Sequence, residues 1–334
     1  MRASRVIKYT LSLAVAGIFM YFAFRNVEWG KFVAGLKNCR WGFIAASMAA
    51  SVAACWFRSE RWRILISPFD KTLDSLSTFN GVNIGYLANF AFPRIGEVVR
   101  CGLISRRSRS RHTDNPSEAI SFDRTLGTVL LSRVWDVIVS LIILAVLLVA
   151  KWRVFGDFFV NRMWAPFREH FDFSLWWLIG AAALMLVVFI RLCHTLRDKN
   201  AFFGKCAGFA EGIFQGFKSC LQIENKTGFF IHTALLWTMY WLMSFFIILA
   251  IPEFSNMMGP VDALFVCMVG SIGWAVPVPG GFGSYHGIVA LALSTIYMTT
   301  WNEGLLFATL DHESQMITMV VCGIVSYIIE TLRK

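Results

Sequence analysis

Apolar stretches follow one another along the whole chain, at roughly 6–24, 41–57, 79–103, 125–150, 174–191, 228–251, 261–300 and 315–331. A helix needs about 20 residues to cross the hydrocarbon core of a bilayer, and most of these stretches supply them. The segments 79–103 and 261–300 do not read as simple spans, because Pro and Gly interrupt both. In 201–222, Phe202, Phe209, Ile213 and Phe217 recur near helical spacing, broken by Lys205, Glu211 and Lys218. That pattern, and a shorter counterpart at 28–40, reads either as an amphipathic helix on the membrane surface or as a plain connecting helix.

Composition agrees with the pattern. Hydrophobic residues make up 57% of the 334 residues and charged residues only 16%, against about 25% in a soluble domain. Mean hydropathy is +0.59. A cytosolic enzyme, a secreted disulfide scaffold and a disordered tail are excluded. The expected fold is an all-α integral membrane protein, with about six full transmembrane helices and two re-entrant broken-helix segments. It forms a single polytopic domain over 1–334, since no linker or low-complexity stretch divides the chain. The first helix reads as a retained signal anchor, because no small-residue cleavage site follows it. The eight cysteines form no CxxC pair and read as small apolar packing residues.

The net charge of +10 matters through its distribution. With both interrupted segments taken as re-entrant, one side collects 21 Lys and Arg and the other 8. The positive-inside rule then places both termini in the cytoplasm, with the chain multi-pass in the inner (cytoplasmic) membrane. The densest basic cluster, Arg106, Arg107, Arg109 and Arg111, either keeps its loop inside or meets a lipid headgroup or partner protein. Nucleic acid is not an expected partner, since no recognition fold surrounds the cluster.

The two interrupted segments share a plan. Asn83-Ile-Gly-Tyr86 opens the first and Ser271-Ile-Gly-Trp274 the second; each then reaches a Pro and a Gly, Pro93 and Gly96, then Pro279 and Gly283. Dipping in from opposite sides, they would form an inverted repeat whose broken helices meet near the midplane. Pro277, Pro279, Gly280, Gly281 and Gly283 cannot lie in a regular helix. Their non-helical backbone has to be satisfied by protein or by a water-filled cavity. A helix N-terminus brought there would attract an anion such as phosphate; the alternative is a kinked helix with no ligand.

Charges accompany the breakers. Arg94, Glu97 and Arg100 fall on one helix face, and Arg133 and Asp136 are one turn apart on the following span. Ionisable residues at such depth pair with each other or line a cavity. Three cations against two carboxylates leave one positive charge over. The set is therefore either a fastening between helices or a receptor for a lipid phosphate. The expected substrate-binding residues are Asn83, Arg94, Glu97, Arg100, Arg133, Asp136, Pro279, Gly280, Gly281, Gly283 and His286. His286 either bonds a neighbouring backbone group or titrates near its ordinary pKa of about 6.5 and couples movement to protons.

These residues resemble a known family. Pro93-Arg-Ile-Gly-Glu-Val-Val-Arg100 resembles the P-x-x-G-E-x-x-R signature of the lysylphosphatidylglycerol synthase transmembrane region, also called the flippase-like domain. Pro277-Val-Pro-Gly-Gly-Phe-Gly283 is similar to its P-x-P-G-G-x-G element. Leu131-Ser-Arg-Val-Trp-Asp136 looks like its E-R-x-x-D motif, with Ser132 replacing the acid. The resemblance implies a helical inner-membrane domain with re-entrant helices that moves or handles lipids, without the soluble synthase domain of bifunctional members. Where the family often has Glu three residues after Gly283, this chain has His286.

The leading functional expectation is a flippase-like protein that binds and translocates a phosphate-bearing lipid, whether phospholipid, aminoacyl lipid or polyprenyl-linked sugar. Its partners would be anionic or isoprenoid-linked membrane lipids and a separate lipid synthase or glycosyltransferase. The alternatives are a secondary transporter of a small anion, a membrane-embedded lipid-modifying enzyme and an accessory subunit. Glu97, His286, His312 and Glu313 are the enzyme's candidate players. However, His312-Glu-Ser-Gln-Met316 lacks the second His of a zinc H-E-x-x-H site. No catalytic constellation, metal-ligand cluster or cofactor is expected. No Walker-type phosphate loop occurs, so the energy source would be a gradient, a partner or none.

Overall fold

The computed structural model describes residues 17, 18, 20–25, 27–91, 95–156, 158–170, 177, 180, 184, 185, 188, 191, 192, 195, 201–276 and 278–333. Among the described residues every regular element is helical, giving an all-α membrane protein. The helices that matter below are α1 (Trp29–Asn38), α2 (Trp41–Ile66), α3 (Ser75–Ala91), α4 (Gly96–Arg111), α5 (Phe122–Ala150), α6 (Ala201–Lys218), α7 (Lys226–Ala250), α8 (Pro252–Met257), α9 (Pro260–Ala275), α10 (Ser284–Ile296) and α11 (Trp301–Leu332). Of these, α5, α7 and α11 are long and apolar enough to cross a membrane. The spans expected at 6–24 and 174–191 lie largely outside the described residues.

Two boundaries differ from the sequence reading. Helix α2 does not stop near 57 but continues to Ile66, carrying Arg58, Arg61 and Arg63 into the helix. These charges do not end it because each finds a carboxylate: Asp136 for Arg58 and Arg61, Glu60 for Arg63. Helix α11 begins at Trp301, so 299–314 is not an outer connection. Its start is fixed by a capping box: the Thr300 hydroxyl accepts from Glu303 N–H at 3.3 Å, and the Glu303 carboxylate accepts from Thr300 N–H at 2.8 Å. The 201–222 pattern gives α6, which packs on α5. Gly127 and Gly216 let the two backbones approach, and Arg124 donates to Gln215 at 2.9 Å.

Each interrupted segment folds as a helical hairpin. In the first, α3 and α4 run against each other and cross where Gly85 meets Gly96. A Cβ on Gly96 would lie 2.1 Å from the Gly85 carbonyl oxygen, so no larger residue fits. Gly96 N–H is capped by the Asn89 side chain at 2.7 Å. In the second, α9 and α10 cross where Gly273 meets the backbone of Tyr285, and Ser284 Oγ donates to the Gly273 carbonyl at 3.0 Å. The tip of this hairpin is a short 3₁₀ turn, Pro279–Gly281. Gly280, Gly281 and Gly283 have φ of 57°, 71° and 79°, a region open to Gly at little cost. Gly85 and Gly273 occupy the same place in the two repeated tetrapeptides, and each is the crossing glycine of its hairpin.

Helix α11 relates the hairpins to each other. Near its Trp301 end, Gly304 packs on Ala290 of α10. Near its other end, Gly323 packs on Asn83 and Leu87 of α3, and Glu330 accepts from Asn80 at 3.1 Å. The hairpins therefore enter from opposite ends of α11. Their closed ends converge beside its middle, where the Pro279–Gly281 turn also touches α3. Helices α2 and α7 form the other large pair, with Ser47 Oγ donating to the Met243 carbonyl at 3.2 Å.

The open end of the first hairpin is locked by charge. Arg333 donates to Asp74 at 2.6 Å, Arg111 to the same carboxylate at 3.0 Å, and Arg107 to the Arg333 carbonyl at 3.0 Å. Two members of the basic cluster thus fasten α4 to α11. Partial burial alone would raise the Asp74 carboxyl. The Ser77 and Arg333 hydrogen bonds and the charges of Arg111 and Arg333 outweigh it and hold the pKa at about 2, below the ordinary 3.8.

Gly96→Ala should lower the melting temperature of the purified protein, since the added methyl forces the hairpin apart at a cost of about 1–3 kcal/mol. An unchanged melt would mean the crossing is looser than described. Asp74→Asn should destabilise the protein at neutral pH. Because the folded pKa is depressed, the wild-type advantage is present above 3.8 and fades as pH falls toward about 2. Melting curves of the two proteins along that range measure it, and a constant gap would contradict the assignment.

Candidate functional site

Four helices bring guanidinium groups together at mid-structure. Helix α2 supplies Arg58 and Arg61, α4 supplies Glu97 and Arg100, α5 supplies Arg133 and Asp136, and α7 supplies Tyr240. Arg61 donates to Asp136 at 2.6 Å and to Ser132 Oγ at 3.0 Å. Arg58 lies 3.2 Å from the other oxygen of Asp136 and donates to the Tyr240 hydroxyl at 2.7 and 3.0 Å. Arg133 donates to Glu97 at 2.5 Å. Arg100 stands apart from these pairs: its guanidinium lies over the Trp62 ring at 5.0 Å, and the residue is 4% exposed. Trp62 is itself fixed by donating from Nε1 to Thr128 Oγ1 at 3.0 Å.

Charge does not balance in this network. Arg58, Arg61, Arg100 and Arg133 face Glu97 and Asp136; Asp136 is shared by Arg58 and Arg61, and Glu97 takes Arg133 on Oε1 while its Oε2 is buried without a hydrogen-bond partner. Among the described residues, Nε and Nη2 of Arg100 and Nε and Nη1 of Arg61 are buried without a hydrogen-bond partner. Such groups are costly unless an anion or water completes them. The Ser132 replacement noted above sits inside this set, leaving it one carboxylate poorer than the family motif.

A second cluster surrounds the tip of the second hairpin. His312, at the middle of α11, donates from Nε2 to the Gly280 carbonyl at 2.8 Å; a carbonyl can only accept, so the proton is on Nε2. Its Nδ1 lies 3.1 Å from Glu313 Oε1. His286 Nε2 reaches the same oxygen from α10 at 3.5 Å. Next to them, the Asp311 carboxylate is fully buried and accepts from Tyr285 at 2.6 Å, Gln315 at 3.2 Å and Ser244 at 3.3 Å. That knot joins α7, α10 and α11 around the turn.

Of the residues expected from the sequence, Glu97, Arg100, Arg133 and Asp136 meet in the first cluster. Pro279, Gly280, Gly281, Gly283 and His286 belong to the second. Asn83 lies on α3 against Gly323, its side chain donating to the Phe79 carbonyl at 2.9 Å. Arg94 and Pro93, like Pro277, lie outside the described residues. No hydrogen bond or ion pair joins the two clusters among the described residues. The sequence reading missed Arg58, Arg61 and Tyr240 as members, having placed the arginines in a loop. It also did not bring His312 and Glu313 to His286, although His-Glu at the centre of an apolar helix was the available signal.

Apolar spanning helices, two opposed hairpins and buried charge at their meeting place define a polytopic helical membrane protein with a polar interior. The family model described as "Lysylphosphatidylglycerol synthase TM region" matches residues 9–323, and the chain belongs to that family. It is accordingly a membrane protein tied to lipid handling. No curated protein and no solved structure matches the chain.

Asp136→Asn should strip Arg58 and Arg61 of their shared counter-ion and cost about 3–5 kcal/mol of stability. Unfolding of the variant in detergent micelles measures this. A wild-type transition would show that the arginines are compensated elsewhere.

Proposed function

We propose that this protein is a lipid translocase which receives the phosphate of a membrane lipid at Arg100 and passes the headgroup through the polar interior between the two hairpins. The observation that carries the reading is the buried, unmatched positive charge: Arg100 has two nitrogens without a partner among the described residues, while Glu97, its neighbour one turn away, is held by Arg133. A phosphate oxygen accepts from a guanidinium in a strong, charge-assisted geometry. The Trp62 ring beneath Arg100 holds the cation without neutralising it.

The substrate class is an anionic phospholipid, an aminoacyl lipid or an isoprenoid-linked phosphate, delivered by a separate synthase or glycosyltransferase. The protein moves its substrate and makes or breaks no bond in it. We place both termini on the cytoplasmic face of the inner membrane. Arg107, Arg111 and Arg333 gather at the open end of the first hairpin, and placing that end inside accords with the positive-inside rule.

The test is extraction in mild detergent, mass spectrometry of retained lipid and a headgroup-accessibility assay in proteoliposomes. Wild type should retain an enriched anionic or isoprenoid lipid. Arg100→Gln should lose that enrichment and slow translocation by about tenfold or more, the loss expected when one charge-assisted contact is removed. Bulk lipid in both proteins, or an unchanged rate in the variant, would overturn the reading.

A further inference from the structure

The cluster at the second hairpin contains more ligating groups than a hydrogen-bonded fastening needs. His286, His312 and Glu313 each offer one donor atom, and these atoms lie within 4.8 Å of one another. His286 is 0% exposed, and neither of its ring nitrogens has a hydrogen-bond partner among the described residues. Its ring is held in place by Phe24 at 5.5 Å and by His312 at 4.8 Å between centroids. A buried imidazole clamped by aromatics, with Nε2 3.5 Å from a carboxylate oxygen and outside hydrogen-bond geometry, is placed to take a ligand.

The tautomer of His312 sharpens the point. Its Nε2 proton is committed to the Gly280 carbonyl, so in the neutral ring Nδ1 carries a lone pair and faces the Glu313 oxygen 3.1 Å away. Two lone-pair atoms at that distance repel unless a proton or a metal ion lies between them. A backbone carbonyl accepting the far N–H of a histidine is the usual way proteins orient a metal-binding imidazole. Ligand bonds of about 2.1 Å at tetrahedral angles would space donor atoms by about 3.4 Å. The observed separations from Glu313 Oε1 are 3.1 Å to His312 and 3.5 Å to His286, and the whole set lies within 4.8 Å, so the two imidazoles have to draw together around the ion.

We propose that His286, His312 and Glu313 form a binding site for a divalent metal ion of the zinc class, at the turn of the second hairpin. Two imidazoles and one carboxylate suit zinc or its first-row neighbours, whereas magnesium and calcium prefer oxygen donors throughout. Three protein ligands leave at least one coordination position for water or a substrate oxygen. Access is through an apolar cavity of about 320 Å³ whose wall includes Glu313 together with Leu36, Trp41, Ile44, Met48 and Ile317. The ion would join α10 to α11 directly beside the Gly280 carbonyl. This inference goes beyond the phosphate reading and does not depend on it.

The experiment uses the full chain in detergent with an affinity tag free of histidine, stripped with a chelator, loaded with Zn²⁺ and freed of excess by gel filtration. Elemental analysis should find about one zinc per chain, and Co²⁺ loaded in its place should give the intense visible absorption of a low-coordinate site. Glu313→Gln keeps the His312–Gly280 bond, so the turn stays folded; it and His286→Gln should each weaken Zn²⁺ binding by at least about tenfold. A wild type that retains no metal, or variants that bind it as tightly as wild type, would overturn the site. Arg100→Gln should keep its zinc, so loss of lipid there and loss of metal here fail separately.

Discussion

Backbone that leaves the helix inside a membrane protein has lost its internal hydrogen-bond partners and has no water to replace them. Helix α11 supplies those partners here. His312 takes up the carbonyl of Gly280, and Asp311 anchors Tyr285 just beyond the turn. At 32 residues α11 is about 48 Å long, well over the about 30 Å of a hydrocarbon core, so it reaches both ends of the bundle as well as the turn. Gly304 seats one hairpin against it and Gly323 the other. The meeting of the two closed ends is a consequence of both hairpins being measured against one helix.

The hairpins are alike in construction and different in charge. Each crosses at a glycine of its repeated tetrapeptide, so each brings two backbones too close for side chains. Around the first, the neighbouring helices contribute guanidiniums in excess of carboxylates; around the second they contribute imidazoles and carboxylates. The excess is not set by any single helix. It follows from α2 continuing past 57, which adds Arg58 and Arg61, and from Ser132 standing where the family motif carries an acid. Asp136 is consumed by those two arginines, and Glu97 by Arg133, so the remaining cation is Arg100.

How much of this was legible follows from the range of the interactions involved. The hairpins could be read from the chain because Pro and Gly act locally: five breakers between 277 and 283 forbid a helix whatever lies nearby. The apolar spans at 125–150 and 228–251 were equally plain, since burial in lipid needs only uninterrupted apolar sequence. The ends of α2 and α11 were not. Arg58 and Arg61 look like the edge of a loop until Asp136, on another helix, neutralises them. Asp311, His312 and Glu313 look like an outer connection until Tyr285 and Gly280 are seen to receive them. The same holds for the pairing: that carboxylates and arginines pair could be expected from the sequence, but which arginine each carboxylate takes depends on α2.

The two clusters also constrain how the interior could open. A headgroup passing between the hairpins has to separate the Pro279–Gly281 turn from α3, and the contacts that resist separation are unequal in kind. At the glycine crossings, backbone lies close on backbone, held by Asn89 on Gly96 in the first hairpin and Ser284 on Gly273 in the second. The bonds of His312 to Gly280 and of Tyr285 to Asp311 are directional and buried, and breaking either leaves a polar group unpaired at about 1–3 kcal/mol. The second hairpin should therefore stay fixed to the middle of α11. The first hairpin is locked at its open end instead, by Asp74 with Arg111 and Arg333.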